Sequence, residues 1–199
     1  MGRMQSPVKP LSSAHAARRG VLPAPHGFTA IELMVVIAMI AILAALAAPS
    51  FNSIMERWRV FKAVKGMEST LHLARSEAIK RNGLVAIQKL ANSTDCSLAK
   101  TNQEWSCGWQ IFVDSDNDGS LDNNEEVLQI TPAPKNVNII MGNGARFLRV
   151  DRWGQISNLG TAGIQFSPHP TGVSSPSTTR LCVSSGGRID ARRQAVSCS

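Results

Sequence analysis

The chain lacks the short motifs by which most enzymes are recognised from sequence. It has no HExxH metal motif, no nucleophile elbow and no phosphate-binding glycine loop. Beyond residue 27 its histidines, His72 and His169, are isolated from each other. The four cysteines show neither a CxxC pair nor the Cys/His spacing of a zinc site, and there are no internal repeats. These absences argue against an enzyme and favour a structural or binding protein.

Residues 1–27 contain no acidic residue and no apolar centre, so they do not resemble an ordinary secretory signal. Their four basic residues contribute most of the net charge of the chain, which falls from +7 to +3 when they are removed. The high isoelectric point is therefore partly a property of this segment. It gives no reason to infer a general attraction to anionic partners.

An unbroken apolar run from Phe28 to Ala48 contains a single charge, Glu32. As a helix, residues 28–48 would extend about 31 Å, which is enough to cross the hydrocarbon core of a bilayer. A carboxylate within such a segment costs about 3 kcal/mol on insertion scales. We therefore predict a transmembrane helix in which Glu32 has a function, such as pairing with a cation.

The segment from Gly27 through Phe28 and Glu32 to Pro49 resembles the amino terminus of type IV pilin-like proteins. The resemblance implies that a prepilin peptidase cleaves after Gly27 and methylates the new amino terminus at Phe28, so that residues 1–27 are a leader peptide. It also implies that Glu32 neutralises the Phe28 ammonium of a neighbouring subunit in a filament. The alternative is an ordinary membrane anchor with an acid near the interface.

Apolar residues recur at steps of three and four beyond Pro49, which predicts an amphipathic continuation of the helix over residues 49–83. The positions are Ile54, Trp58, Phe61, Val64, Leu71, Ala74 and Ala78. Asn82 and Gly83 are expected to end the helix in a left-handed cap. The run from Leu71 to Asn82 resembles the FimT/GspH branch of the pilin-like class.

Short β-type runs separated by turn residues follow Gly83 and predict one periplasmic β-rich domain over residues 84–199. The predicted strands are Leu84–Leu90, Trp109–Val113, Glu126–Ile130, Val137–Met141, Arg146–Val150, Gly163–Phe166 and Arg180–Ser184. Segments 108–114 and 181–188 again resemble FimT/GspH proteins. The predicted fold class is α+β and pilin-like, with a long N-terminal helix, transmembrane in its first half, packed on an antiparallel β-sheet domain.

The even set of cysteines lies after the apolar run, which favours an oxidising compartment outside the cytoplasm. Basic residues on the two sides of the run balance, so charge alone does not orient it. We predict a single-pass protein of the bacterial inner membrane whose C-terminal domain is periplasmic. Cys96–Cys107 and Cys182–Cys198 are favoured among three pairings because each closes a short loop.

Residues 114–125 match the twelve-residue EF-hand loop at every ligand position. Gly119 would allow the bend, and the predicted calcium ligands are Asp114, Asp116, Asp118, Ser120, Asp122 and Glu125. Strand-like rather than helical sequences flank the loop, which keeps a solvated turn as the alternative.

Every basic residue from Arg146 onward is arginine. Residues 187–193 resemble the Gly-Arg-any-Arg signature through which some FimT proteins contact DNA, although Asp190 replaces the second arginine. The candidate residues for binding double-stranded DNA are Arg180, Arg188, Arg192 and Arg193. A solvated tail without a ligand is the alternative.

We expect the four tryptophans, Trp58, Trp105, Trp109 and Trp153, to pack in the core rather than to stack on bases. The sequence as a whole predicts a minor pilin or pseudopilin, a structural subunit for assembly of a type IV pilus or a type II secretion pseudopilus. The alternative is a DNA-binding pilus tip protein for DNA uptake. The implied partners are prepilin peptidase, other pilin subunits, the inner membrane and, for the alternative, double-stranded DNA.

Overall fold

The computed structural model describes residues 27–132, 134–184, 187–194 and 197–198. The predicted leader lies outside the described residues except for Gly27, and the side chains of residues 47–50, including Pro49, are also outside them. The chain divides into two compact units, Met1–Ala45 and Leu46–Ser199. We describe each unit by itself.

Helix α1 is assigned over Ala30–Lys80. It begins after Thr29, whose hydroxyl accepts the backbone N–H of Glu32 at 3.3 Å and so satisfies one of the free donors of the first turn. It ends where Asn82 and Gly83 adopt positive φ values of 59° and 95°, and the Gly83 N–H donates to the carbonyl of Ala78 at 2.7 Å. The predicted left-handed stop is therefore present.

In the first unit, every described side chain up to Ala45 is exposed. No single helix among the described residues is long and apolar enough to cross a membrane. By length and composition, the stretches Ala30–Leu46 and Phe51–Lys80 would be sufficient to cross a membrane only if taken together.

In the second unit, helix α1 buries one apolar face against the β-rich domain. The buried residues are Val60, Ala63, Val64, Met67, Leu71, Ala74 and Ala78. Three residues predicted on this face are instead exposed: Ile54 at 44%, Trp58 at 58% and Phe61 at 52%. The predicted period is correct, but periodicity shows which face is apolar and not how much of its length the domain covers.

In the part of the chain that the structure describes, nine strands form two antiparallel sheets, in the orders β3-β2-β1-β5-β6 and β4-β7-β8-β9. Their bounds are Val85–Lys89 (β1), Gly108–Val113 (β2), Val127–Pro132 (β3), Val137–Met141 (β4), Phe147–Val150 (β5), Ile156–Ser157 (β6), Ile164–Pro168 (β7), Thr179–Val183 (β8) and Ile189–Arg193 (β9). The seven predicted strands are present, β4 with the predicted bounds and the others with shifted ends, and β6 and β9 were not predicted.

Two tryptophans are buried in the core, and each donates one hydrogen bond through its indole N–H. Trp109 is 1% exposed, and its indole N–H donates to the Thr70 hydroxyl on helix α1 at 2.8 Å. Trp105 is fully buried and donates to the carbonyl of Ala145 at 2.9 Å. The prediction of core packing is wrong for Trp58 and for Trp153, which is 74% exposed in the turn between β5 and β6.

Two disulfides fix loops of the β-rich domain. Cys96 is joined to Cys107 with a Cα–Cα distance of 5.6 Å, and Cys182 is joined to Cys198 at 5.4 Å. This is the pairing predicted from the short loops that it closes. The second bond connects β8 to the segment that follows β9.

Candidate functional site

The amino-terminal candidate site consists of Gly27, Phe28 and Glu32. Phe28 is 76% exposed, and Glu32 lies in the first turn of helix α1. The positive end of the helix dipole stabilises a carboxylate at this position. In the part of the chain that the structure describes, the Glu32 side chain has no hydrogen bond or ion pair. Its carboxylate is therefore free to pair with a cation from another molecule.

The second candidate site is the loop between β2 and β3, residues 114–126, which we call the acidic loop. Asp114 is 1% exposed, and its carboxylate accepts the backbone N–H groups of Asp118 at 2.9 Å and of Gly119 at 3.1 Å. The Arg149 guanidinium lies 3.5 Å from the same carboxylate. Asp114 therefore organises the loop from within, and its charge is balanced by Arg149.

Gly119 has the positive φ of 77° that its predicted role at the bend requires. A Cβ atom at this position would lie 2.5 Å from the ring of Phe147. Glycine is therefore needed both for the backbone conformation and for the close approach of β5.

The structure brings together three of the six predicted calcium ligands. Ligand oxygens of Asp114, Asp116 and Asp118 all lie within 4.8 Å of one another. The two carboxylate oxygens of Glu125 instead accept the backbone N–H groups of Ser115 at 2.6 Å and Asp122 at 3.0 Å. Calcium binding therefore stays a prediction from the sequence.

Negative charge accumulates on the exposed part of the acidic loop. Desolvation raises the pKa of Asp122 above its ordinary value. The neighbouring carboxylates of Asp116, Asp118 and Glu125 raise the pKa of Asp122 further. A cation or a basic surface that docks on the loop would relieve this repulsion.

The third candidate site, the arginines near the carboxyl terminus, does not lie on a tail. Residues Ile189–Arg193 form strand β9, which pairs antiparallel with β8 and places Arg192 opposite Arg180 and Arg193 opposite Thr179. Adjacent residues of a strand point to opposite faces of the sheet. Arg192 and Arg193 therefore cannot contribute to one surface, and the predicted group of four arginines is divided.

On one face, Arg188 and Arg192 lie near Asp190, and Arg180 lies opposite Arg192 in the strand register. Arg192 donates to the Asp190 carboxylate at 3.1 Å, and the Arg188 guanidinium lies 3.8 Å from it. Arg180 donates to the side-chain oxygen of Gln165 at 2.8 Å. The side chain of Arg188 is 76% exposed and lies at a cavity of about 430 Å³ that the disulfide of Cys182 also lines. Arg188 is thus the most accessible cation of this face.

On the other face, Arg193 lines a groove of about 580 Å³ together with Arg57 and Lys65 of helix α1. Sequence reasoning missed this grouping because β9 was not predicted. A strand pattern in residues 189–193 is the only signal that could have indicated it, and the three charges in five residues weaken that signal.

Comparisons with known proteins agree on one family. A family model described as type II transport protein GspH matches residues 63–198. Two curated relatives, each described as a fimbrial protein of Pseudomonas aeruginosa, are 33% identical over 104 residues, which cover 51% of this chain and 67% of the relative.

A crystal structure of the type IV minor pilin FimU of Pseudomonas aeruginosa, in space group P21, has a TM-score of 0.50 to this chain at 19% sequence identity. The similarity covers 72% of this chain and 96% of the crystallised one. At this identity it establishes the pilin-like α+β fold alone. Because the family model spans most of the chain, the protein belongs to the GspH family of minor-pilin-like proteins and is a type IV pilus or pseudopilus subunit.

Proposed function

We propose that the protein is a membrane-anchored minor pilin or pseudopilin that helps to start or cap a filament of a type IV pilus or a type II secretion machine. The observation that carries the proposal is the exposed apolar helix Ala30–Leu46 with one carboxylate at its start. An exposed apolar surface of this length needs a covering environment. Inner-membrane lipid would cover it before assembly, and helices of neighbouring subunits would cover it in the filament.

Maturation would create a cation with which the Glu32 carboxylate can pair. Cleavage after Gly27 by a prepilin peptidase releases an amino group at Phe28, which is methylated and remains positively charged. Within a filament core this charge requires a nearby anion. The exposed Glu32 carboxylate of an adjacent subunit supplies one, since its side chain has no partner among the described residues of its own chain.

The test of assembly replaces Glu32 by Gln, which keeps the shape of the side chain and removes its charge. We expect Glu32→Gln to enter membranes as wild type does, because the apolar run only becomes less polar. We expect sheared filaments to contain much less of the variant. Glu77→Gln is the matched control, because the Glu77 carboxylate is already paired within the chain, with Lys80 at 2.7 Å and with Arg81 at 3.1 Å. Equal incorporation of wild type and Glu32→Gln would refute the pairing.

Mass spectrometry of the amino-terminal peptide tests maturation directly. In cells with an active prepilin peptidase, the protein should begin with N-methyl-Phe28. Retention of residues 1–27 in such cells would contradict the proposed processing, whatever the result for Glu32.

DNA binding by a pilus tip protein is the second candidate function, and the high exposure of Arg188 favours it. The surface would comprise Arg180, Arg188 and Arg192, with Arg193 excluded by its position on the other face. Arg188→Ala should weaken binding of a labelled duplex in fluorescence anisotropy. It should also reduce the salt slope by about 0.9 if one phosphate contact is lost. Asp190→Arg should strengthen binding, and equal binding by wild type and both variants would exclude this surface.

A further inference from the structure

The groove between helix α1 and the β8–β9 hairpin, which we call the basic groove, is lined among the described residues by three cationic side chains and by no acidic one. The cations are Arg57, Lys65 and Arg193, and Phe61 and Val64 contribute an apolar wall. The volume of about 580 Å³ is in the range of sites that bind a peptide side chain or a small molecule.

Two of these cations are available to an outside partner. Arg57 and Arg193 are exposed and have no hydrogen bond or ion pair with any residue that the structure describes. Lys65 is paired with Glu68 at 2.6 Å. The basic groove therefore attracts anions chiefly through its two arginines.

The acid closest in sequence to Arg57 is occupied elsewhere. The Glu56 carboxylate accepts hydrogen bonds from the hydroxyls of Thr171 at 2.7 Å and Ser175 at 3.2 Å. It holds the loop before β8 against the helix and does not neutralise the groove. An anionic partner must therefore come from outside the described residues or from another molecule.

The acidic loop lies at the opposite end of this part of helix α1. Just beyond the helix end, the Arg81 guanidinium pairs with Glu126 at 2.8 Å, and the Asp114 N–H donates to the carbonyl of Leu84 at 2.9 Å. From Arg57 to Lys80 the helix rises about 35 Å. The β-rich unit therefore has a basic groove at one end and an acidic loop at the other.

The acidic loop keeps exposed anions after its internal pairs are counted. Asp114 is balanced by Arg149, and Arg146 donates to the Ser120 hydroxyl at 2.7 Å. Asp116 and Asp122 are exposed, and neither is paired with a cation among the residues described. Together with Asp118, which is also exposed and is not paired with a cation among the described residues, they give the loop a charge opposite to that of the basic groove.

We propose that the acidic loop of one subunit docks in the basic groove of a second copy of this chain. The contact joins two different surfaces, so it is heterologous. This inference rests on the proposed function and names the surfaces by which subunits meet outside the apolar helix.

The physical character of the contact determines how it can be detected. Exposed ion pairs are individually weak and fix register and encounter rate more than affinity. Their attraction is screened over about 8 Å at physiological salt. We therefore expect self-association that is weak, favoured at low salt and lost at high salt.

A charge-swap experiment with the full chain in a neutral detergent tests the contact. The groove variant carries Arg57→Glu with Arg193→Glu, and the loop variant carries Asp116→Lys with Asp122→Lys. All four side chains are exposed, so the fold should be retained, which circular dichroism checks. Sedimentation velocity at low and high salt measures association, with a chelator present to keep calcium off the loop.

Each variant alone should self-associate about tenfold more weakly than wild type at low salt, and an equimolar mixture should recover association because opposite charges again face each other. The matched control Lys100→Glu with Arg152→Glu changes the net charge equally on exposed cations outside the groove and should behave as wild type. Absence of salt-sensitive association in wild type, or no recovery in the mixture, would overturn the proposal.

A duplex-binding measurement on the groove variant tests whether the basic groove binds DNA instead of a second copy of this chain. If the variant loses DNA binding and keeps self-association, the basic groove is a nucleic-acid surface and the proposed contact is wrong. If the mixture of charge-swap variants does not recover association but wild type still enters filaments normally, only this contact is rejected. If Glu32→Gln enters filaments as well as wild type does, the proposed pairing at the amino terminus is rejected instead.

Discussion

The two stretches of helix α1 differ in what covers their apolar side chains. From Ala30 to Leu46 every side chain is exposed, whereas Val60, Met67 and Leu71 of the later stretch are at most 1% exposed. Both stretches are helical and both are rich in apolar residues. Helix formation is therefore independent of whether the domain covers the helix, and the uncovered stretch is the part left for other molecules.

The acidic residues of the two stretches differ in a similar way, in whether they are paired within the chain. Glu77 pairs within its own chain with Lys80 at 2.7 Å and with Arg81 at 3.1 Å. The Glu32 side chain has no such partner in the described part of the chain. Replacing a residue whose side chain is paired or buried within the fold should change stability. Replacing a residue whose side chain has no such contact should change assembly. The predictions below test this rule from the largest expected effect to the smallest.

Truncation of one leucine in each stretch is the first test. Leu71 is fully buried, so Leu71→Ala should lower the free energy of unfolding by about 3 kcal/mol through lost burial and a residual cavity. Leu43 is 66% exposed, and Leu43→Ala should change it by less than about 0.5 kcal/mol. Urea titration of the detergent-solubilised protein measures both, and equal losses would break the comparison.

Removal of the Cys182–Cys198 disulfide comes next in expected size. The double variant Cys182→Ser with Cys198→Ser should cost about 3 kcal/mol, as expected for a bond that closes a loop of 16 residues. It should also release β9, because this bond ties the segment after β9 to β8. The paired control, Cys96→Ser with Cys107→Ser, opens an 11-residue loop elsewhere and should leave amide protection in β9 unchanged in hydrogen exchange.

Much of the fold could be predicted from the sequence because its signals are local. Hydrophobic periodicity and the Asn82–Gly83 stop indicate the helix, and alternating apolar runs indicate seven of the nine strands. Strand β6 has only two residues and is too short to give a pattern. Strand β9 contains Asp190, Arg192 and Arg193, and its pairing depends on β8 and on a distant disulfide rather than on local preference.

The candidate sites were predictable to the extent that their residues are close in sequence. The acidic loop is one continuous segment, so its position between two strands followed from its motif. The arginines were wrongly grouped because facing direction depends on strand register, which separates Arg192 from Arg193. The basic groove joins Arg57 to Arg193 across the fold, and no local pattern connects residues so far apart.

The acidic loop contains one carboxylate that is paired within the fold, that of Asp114, and others that are not, and the third prediction compares them. Asp114→Asn removes the charge that Arg149 balances and weakens two backbone hydrogen bonds, so it should cost about 2 kcal/mol. Asp116→Asn should change stability little, because Asp116 accepts only one bond, at 3.2 Å. Thermal unfolding of both variants gives the comparison.

Calcium binding is the fourth prediction, and it concerns the carboxylates of the acidic loop that pair with no cation among the described residues. We expect calcium to raise the unfolding midpoint of wild type by binding only the folded loop, with a gain of about 1.4 kcal/mol at ten times the dissociation constant. Asp116→Asn with Asp118→Asn should abolish the shift, while Asp190→Asn should not. A midpoint that does not move at millimolar calcium would identify the loop as a plain turn.

The smallest effect is expected at Glu77. Hydrogen bonds from Lys80 and Arg81 lower the pKa of Glu77 below its ordinary value of 4.5. Because the pKa is depressed in the folded state, the stabilisation is present above pH 4.5 and is lost as the pH falls through the lower folded value. Glu77→Gln should therefore flatten the dependence of unfolding free energy on pH below about 4.5.

Glu32→Gln should leave the stability of the β-rich unit unchanged at each pH, because the Glu32 side chain has no described partner to lose. If instead Glu32→Gln changed this stability as much as Glu77→Gln, the first stretch of the helix would contribute to the folded domain, and the distinction between the two stretches would fail.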